Sequence, residues 1–158
     1  MSNFDPAFLG QKIVEATTEI FETMIMAEIT AKQPLPEQIK KFEHNVSGII
    51  GLAGTHQGML AIHAPEEVAK GITFDFLGVE VESIDEDVKD AISELANMIA
   101  GSVKPALSAN GKDIQLSIPS VFHGNYSVNY YSQADWAMVP FIINSGQFLV
   151  EFQLKKTE

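Results

Sequence analysis

Apolar positions recur with two different periods along this chain, and the change of period divides it into elements. Near the start, Ile13, Thr17, Ile20 and Met24 fall three or four residues apart, the spacing that places side chains on one face of a helix. Asp5-Pro6 stands just ahead of them. Asp accepts from the free N–H groups of a first turn, and Pro suits the first helical position. The pattern predicts an amphipathic helix over residues 6–27, broken by Lys32-Gln-Pro-Leu-Pro36. Residues 46–53, rich in Ile and Gly, read as extended, with Thr55-His-Gln-Gly58 as a turn and residues 59–63 as a returning strand. Pro65, Glu66 and Glu67 open a second helix to about Leu77, since acids suit a helix N-terminus, and Gly78 ends it.

Ser83-Ile-Asp-Glu86 reads as a capping box. Behind it Val88, Ile92, Leu95, Ile99 and Val103 share one face, which predicts a third helix over residues 84–103, bent or ended by Pro105. Further along, the period falls to two. Residues 114–123 and 126–131 read as strands, and residues 137–143 and 147–154 as a hairpin joined by Asn144-Ser-Gly146. A helix, a strand pair, two helices and several strands make an α+β pattern: a mostly antiparallel or mixed β-sheet packed against helices. No linker, low-complexity tract or repeat divides the 158 residues, so one domain over 1–158 is expected.

Composition removes several function classes. Apolar residues make up 46% and charged residues 20%, which suits a packed core and argues against disorder. The absence of cysteine excludes disulfides, thiolate zinc sites and cysteine nucleophiles together, and fits a reducing compartment. The formal net charge is −11, and all ten basic residues are Lys, scattered apart from Lys40-Lys41 and Lys155-Lys156. Binding to nucleic acid or to an anionic membrane needs clustered cations and is disfavoured. The first residues lack the basic and apolar regions of a signal peptide, and no apolar run approaches the roughly 20 residues of a membrane span. A cytoplasmic location is expected.

Most candidate chemistry is weak. His44, His56, His63 and His123 are dispersed, without the spacing of a zinc site. Ser117 and Ser120 lack a Gly-x-Ser-x-Gly elbow, and no Gly-x-x-x-x-Gly-Lys phosphate loop occurs. Trp136 and the tyrosines near 126–131 read as sheet packing. The third helix is more informative. Opposite its apolar arc lie Asp90, Glu94, Asn97 and Gly101, at steps of 4, 3 and 4, in a single row. Glu94 and Asn97 are neighbours able to enter one small site, and Gly101 removes a side chain one turn beyond. A polar helix face is ordinarily only solvated. Asn and Gly are nonetheless poor helix formers to find on the exposed face of a well-capped helix.

The run from Asp90 through Glu94 and Asn97 to Gly101 resembles the signature helix of the CheC/CheX/FliY phosphatases of bacterial chemotaxis. In that family an acid or Ser is followed by Glu four positions on, Asn three later, and Pro about 22 residues beyond. Pro119 here follows Asn97 with 21 residues between. Ser47-Gly-Ile-Ile-Gly-Leu-Ala-Gly54 with Gly58 looks like the family's strand pair, and Ser117-Ile-Pro-Ser-Val-Phe-His-Gly124 like its later strand. Glu-x-x-Asn occurs once, since Glu15 is followed by Thr18, and a single motif is the CheX pattern rather than the two-site CheC pattern.

The resemblance implies a CheC-like fold and hydrolysis of the aspartyl phosphate of a CheY-like response regulator. Asn97 would orient the attacking water and Glu94 would pair with the regulator's Lys. Asp90, Met98 and Gly101 would assist docking. The partner would supply Mg²⁺, with no metal or cofactor bound by this chain itself, and the chain would pair into a homodimer. Two alternatives stay open on the residues alone. One is a non-catalytic adaptor of the same fold that docks a regulator or mediates dimerisation. The other is a small-molecule binding module, which needs a concave apolar pocket.

Overall fold

Asp5 starts the first helix as expected: its Oδ1 accepts from the Phe8 N–H at 2.9 Å, with Pro6 at the first helical position. In the computed structural model, which describes residues 4–108, 110–129 and 131–157, α1 spans Pro6–Ile20. A single wider turn follows at Phe21–Ile25, and Met26 closes it in the left-handed region at φ 62°. The helix is thus shorter than the 6–27 expected and ends through a π-turn. That wider turn keeps Phe21 and Ile25 buried, while Met24 and Met26 stay exposed. β1, Thr30–Ala31, is a two-residue strand whose shortness hides it from periodicity.

β2 is Lys41–Gly54 and β3 is His56–Pro65, both longer than their apolar runs. Only Thr55 lies between them. Gly58 sits inside β3, paired with Leu52 on one side and Leu154 on the other, not in a turn. α2 is Glu66–Leu77 and ends on Gly78 at φ 72°. α3 is Glu86–Leu107. Its N-cap is Asp85, whose Oδ1 accepts from the Val88 N–H at 3.2 Å, so the acceptor lies two residues later than Ser83. Pro105 does not end α3. In the last turn its missing N–H deprives only the Gly101 carbonyl, which lies on the exposed face within reach of water.

The expected strand over 114–123 is two strands, β4 at Ile114–Leu116 and β5 at Ser120–Ser127, both paired with β2. Pro119, with no N–H to give a ladder, stands in the gap. There the Ser117 hydroxyl takes the place of a ladder partner, accepting from the Gly51 N–H at 2.8 Å. The second strand expected, over 126–131, is only the end of β5. Gly124 carries the chain through at φ 118°, and residues 128, 129 and 131 are not strand. Tyr130 lies outside the described residues. β6, Asp135–Ile143, and β7, Gly146–Lys156, form the closing hairpin.

The strand order is β1-β6-β7-β3-β2-β4, with β5 also on β2, and every pairing is antiparallel. The fold is α+β. All three helices pack on one face, α1 over β6 and β7, α3 over β2 and the strands beyond it, and α2 against α3 and β3. The main core lies between, with Ile50, Ile62, Ile92, Leu95, Phe148 and Phe152 fully buried. A smaller core occupies the other face, where Phe42, Met59, Met138 and Val128 meet, flanked by Leu35 and Trp136. Among the described residues no helix is long and apolar enough to cross a membrane.

Candidate active site on the third helix

One face of α3 is fixed against the sheet. Val88, Ala91, Ile92, Leu95, Ala96, Ile99, Ala100 and Val103 are all buried. β2 approaches closely at Gly48, where an added Cβ would stand 2.9 Å from the Ile92 carbonyl oxygen and 3.2 Å from Ala96 Cβ. The helix is therefore set onto the sheet at a position without a side chain. A helix held so firmly presents its outer row in a fixed orientation.

That outer row is Asp90, Glu94, Asn97 and Gly101, and all four are exposed. Glu94 and Asn97 are three residues apart, which separates their Cβ atoms by about 5–6 Å. Among the described residues neither side chain has a hydrogen-bond or ion-pair partner within the chain, and neither has Asp90. At Gly101 a Cβ would meet nothing within 4 Å, so the space above that turn is open. Met98 borders the row but is half-buried and packs against the main core. Lys104 is half-buried in the last turn, where a cation complements the helix dipole.

The charge of this surface is strongly one-sided. Asp85, Glu86, Asp87, Asp90 and Glu94 make the N-terminal half of α3 acidic, offset only by Lys89, 3.9 Å from Glu86. Beside α3, the helix-facing side of β5 carries Val121 and His123, and His123 Nε2 lies 2.8 Å from Glu66 Oε2 at the start of α2. Pro119 is half-buried, one residue after Ile118, which is 85% exposed.

A second polar assembly escaped the sequence reading. Ser47 and His63 pair directly between β2 and β3, with Ser47 Oγ 2.5 Å from His63 Nδ1. His63 Nε2 lies 2.6 Å from Glu151 Oε1 on β7, and Tyr126 Oη on β5 lies 2.5 Å from Ser47 Oγ. Phe42 stacks on the imidazole with ring centres 4.1 Å apart. With Glu151 as a carboxylate, which only accepts, and His63 as a neutral imidazole, the bonds run one way: Tyr126 donates to Ser47, Ser47 to His63, and His63 to Glu151. Burial pushes the Tyr126 phenol upward from its ordinary pKa. Ser, His and a carboxylate in series suggest a nucleophile triad, but Ser47 and His63 are at most 1% exposed, out of a substrate's reach. The signal was Glu151 itself, a charge inside the apolar run from Phe148 to Leu154. The shallow groove next to this network, lined by Ile49, Met59, Phe122 and Val128, is open and lies on the face away from α3.

A seven-stranded antiparallel sheet with three helices on one face, and a solvated Glu-x-x-Asn row on the third of them, defines a CheC-like α+β protein. The family model described as chemotaxis phosphatase CheX matches residues 46–142, from β2 through α3 into β6, and the chain belongs to that family. It is 30% identical over 121 residues to the CheY-P phosphatase CheX of Thermotoga maritima, covering 73% of this chain and 78% of that one. A CheC-like superfamily protein from Shewanella sp. PV-4 superposes with a TM-score of 0.81 at 28% identity, over 92% of this chain and 96% of the other. CheX of Borrelia burgdorferi, solved in complex with CheY, BeF₃ and Mg²⁺, shares the fold, with a TM-score of 0.75 at 23% identity over 92% of this chain and 97% of that one.

Proposed function

We propose that this chain is a phosphatase for the aspartyl phosphate of a CheY-like response regulator, with Asn97 orienting the attacking water and Glu94 anchoring the complex. The observation that carries this reading is the pair itself. Glu94 and Asn97 are adjacent, exposed and unpartnered on a helix whose other face is locked to the sheet. Membership of the CheX family and the name of the Thermotoga relative support the substrate class.

The chemistry needs a water in line with the phosphorus. Its oxygen forms a bond to phosphorus while the bond from phosphorus to the aspartyl oxygen breaks. Inorganic phosphate leaves, the regulator's carboxylate is restored, and the water's protons pass to phosphate and solvent. Little covalent work remains for the phosphatase, so positioning dominates. An amide suits the task because it offers two donors and an acceptor and does not titrate. Glu94, one turn away, pairs with the regulator's Lys and sets the depth at which Asn97 enters. Asp90, Gly101 and the exposed part of Met98 extend the docking surface. The Mg²⁺ beside the phosphate belongs to the regulator. Among the described residues of this chain, no three His, Cys, Asp or Glu side chains are grouped to hold a metal. The protein acts in the cytoplasm as a homodimer, an assembly that light scattering of the purified chain tests directly.

The decisive experiment is Asn97→Ala. Phosphate release from a receiver domain charged with acetyl phosphate is expected to fall by two orders of magnitude or more, about 3 kcal/mol in barrier. The fold survives, since Asn97 is exposed and Ala is the better helix former. Unchanged release by a folded variant removes Asn97 from the mechanism. A wild-type protein that binds the charged receiver without releasing phosphate makes it an adaptor instead.

A further inference from the structure

Two positions near Asn97 serve this chain's own fold poorly. Ile118 is the most exposed large apolar side chain among the described residues, at 85%. Gly101 stands in the interior of α3, where glycine weakens a helix relative to alanine. Yet a Cβ there would touch nothing, the Pro105 ring included. Neither choice is explained by packing within the chain.

Both lie at the same level of the molecule. β2 runs beneath α3, with Gly48 under Ile92 and Ala96 and Gly54 against Asp113, which bonds Ser108 at the end of the helix. Gly51 falls midway, and its N–H is bonded to Ser117. Ile118 therefore stands on the sheet edge, level with the stretch of α3 between Ala96 and Ser108 that carries Asn97 and Gly101. A protein partner of ordinary footprint covers about 800 Å² on each side, a patch roughly 30 Å across. The helix is only about 10 Å wide. A globular domain seated over Asn97 must also touch what flanks α3, and on the sheet-edge flank that is the β4–β5 connection.

We infer that the docking footprint runs off α3 onto the β4–β5 connection, where Ile118 is an apolar specificity contact. It selects receiver domains that present an apolar side chain beside the phosphorylated aspartate. The inference rests on the phosphatase reading and divides the labour within it. The acids of α3 speed encounter and orient the partner, but exposed charges are screened by salt and discriminate weakly between receivers that all carry the same Lys. An apolar contact that loses its water on docking supplies the discrimination. Gly101 lets the partner's surface settle low enough for Ile118 to reach it.

The test compares Ile118→Ser with wild type, using a CheY-type receiver charged with acetyl phosphate for turnover and with fluoroberyllate and Mg²⁺ for binding. The expected result is a tenfold or greater rise in both KM and Kd, with kcat within twofold of wild type. Ile142→Ser, on β6 at the opposite side of the sheet and 40% exposed, controls for loss of surface apolarity and leaves all three unchanged. If the wild type turns over and Ile118→Ser binds and turns over as well as it does, the extended footprint is wrong and the Asn97 site stands. If the wild type binds but does not turn over, the phosphatase reading fails, and a weakened Kd for Ile118→Ser still supports the contact. If no receiver binds the wild type, both fail.

Discussion

Gly48→Ala tests how α3 is seated, because the helix rests on the sheet where β2 has no side chain. The added methyl would lie 2.9 Å from the Ile92 carbonyl oxygen, 3.1 Å from Ile92 Cγ2 and 3.2 Å from Ala96 Cβ. Relaxing these contacts to an ordinary separation of about 3.5 Å lifts α3 by roughly 0.5 Å along a face of close-packed side chains. Ile92 can turn its side chain, but its carbonyl belongs to the helix ladder and cannot yield alone. Overpacking of this kind costs about 1–3 kcal/mol, a fall in Tm of about 2–12 °C for a chain of this size. The backbone itself is unstrained, since Gly48 is not among the residues with positive φ. Urea unfolding followed by far-UV circular dichroism measures the effect as a lower midpoint with an unchanged slope. Gly101→Ala supplies the opposite sign: with open space around it, that variant gains up to about 1 kcal/mol of helix propensity. Far below the transition, Gly48→Ala keeps kcat within about threefold, because Glu94 and Asn97 ride on the same rigid helix. A Gly48→Ala midpoint equal to wild type, or above it, would refute the account of how the helix is seated.

Three further outcomes are expected. Glu94→Gln, which keeps size and helix preference but removes the charge, weakens binding to the fluoroberyllate-charged receiver by about 2 kcal/mol or more at low salt. Equal binding by calorimetry at low and high salt removes Glu94 as the anchor. Glu151→Ala leaves the buried His63 N–H without an acceptor and costs about 1–3 kcal/mol in urea unfolding, whereas Glu94→Ala stays within about 0.5 kcal/mol; equal losses for the two refute the network's role. Because the folded pKa of Tyr126 is raised, the unfolded chain releases that proton first as pH climbs past about 10. Stability associated with Tyr126 is therefore full below that pH and is lost as pH rises through the folded value. Tyr126→Phe flattens the alkaline fall in urea midpoint between about pH 9 and 11, and an unchanged slope refutes the assignment.

The parts of the fold legible in the sequence are those where one period holds for several turns or pleats. α3 could be read because five apolar positions keep helical spacing, and the closing hairpin because Asn144-Ser-Gly146 separates two alternating runs. Element ends were harder. Asp85 and Ser83 are both plausible caps from composition, and only backbone geometry makes Asp85 the acceptor. The split between β4 and β5 depends on Ser117 replacing a ladder bond, a side-chain event that alternation does not record. The Asp90, Glu94, Asn97 row was legible because helical arithmetic alone puts it on one face. The Tyr126–Ser47–His63–Glu151 chain was not, because its members come from four strands and converge only after the strand order is known.

That chain has a bearing on how the sheet finds its alignment. Alternating apolar residues forbid a slip by one position, since every side chain would change face, but they barely penalise a slip by two. With Ile and Gly recurring through β2, the apolar pattern alone leaves several alignments with β3 nearly equivalent in greasy contacts. A two-residue offset between these strands would part Ser47 from His63 and leave polar atoms sealed away from water without partners. The four polar side chains thus act as a vernier for the sheet, accepting one alignment and rejecting its near neighbours. Since Gly48, the seat of the phosphatase helix, is the next residue along β2 after Ser47, the same alignment sets where Asn97 stands.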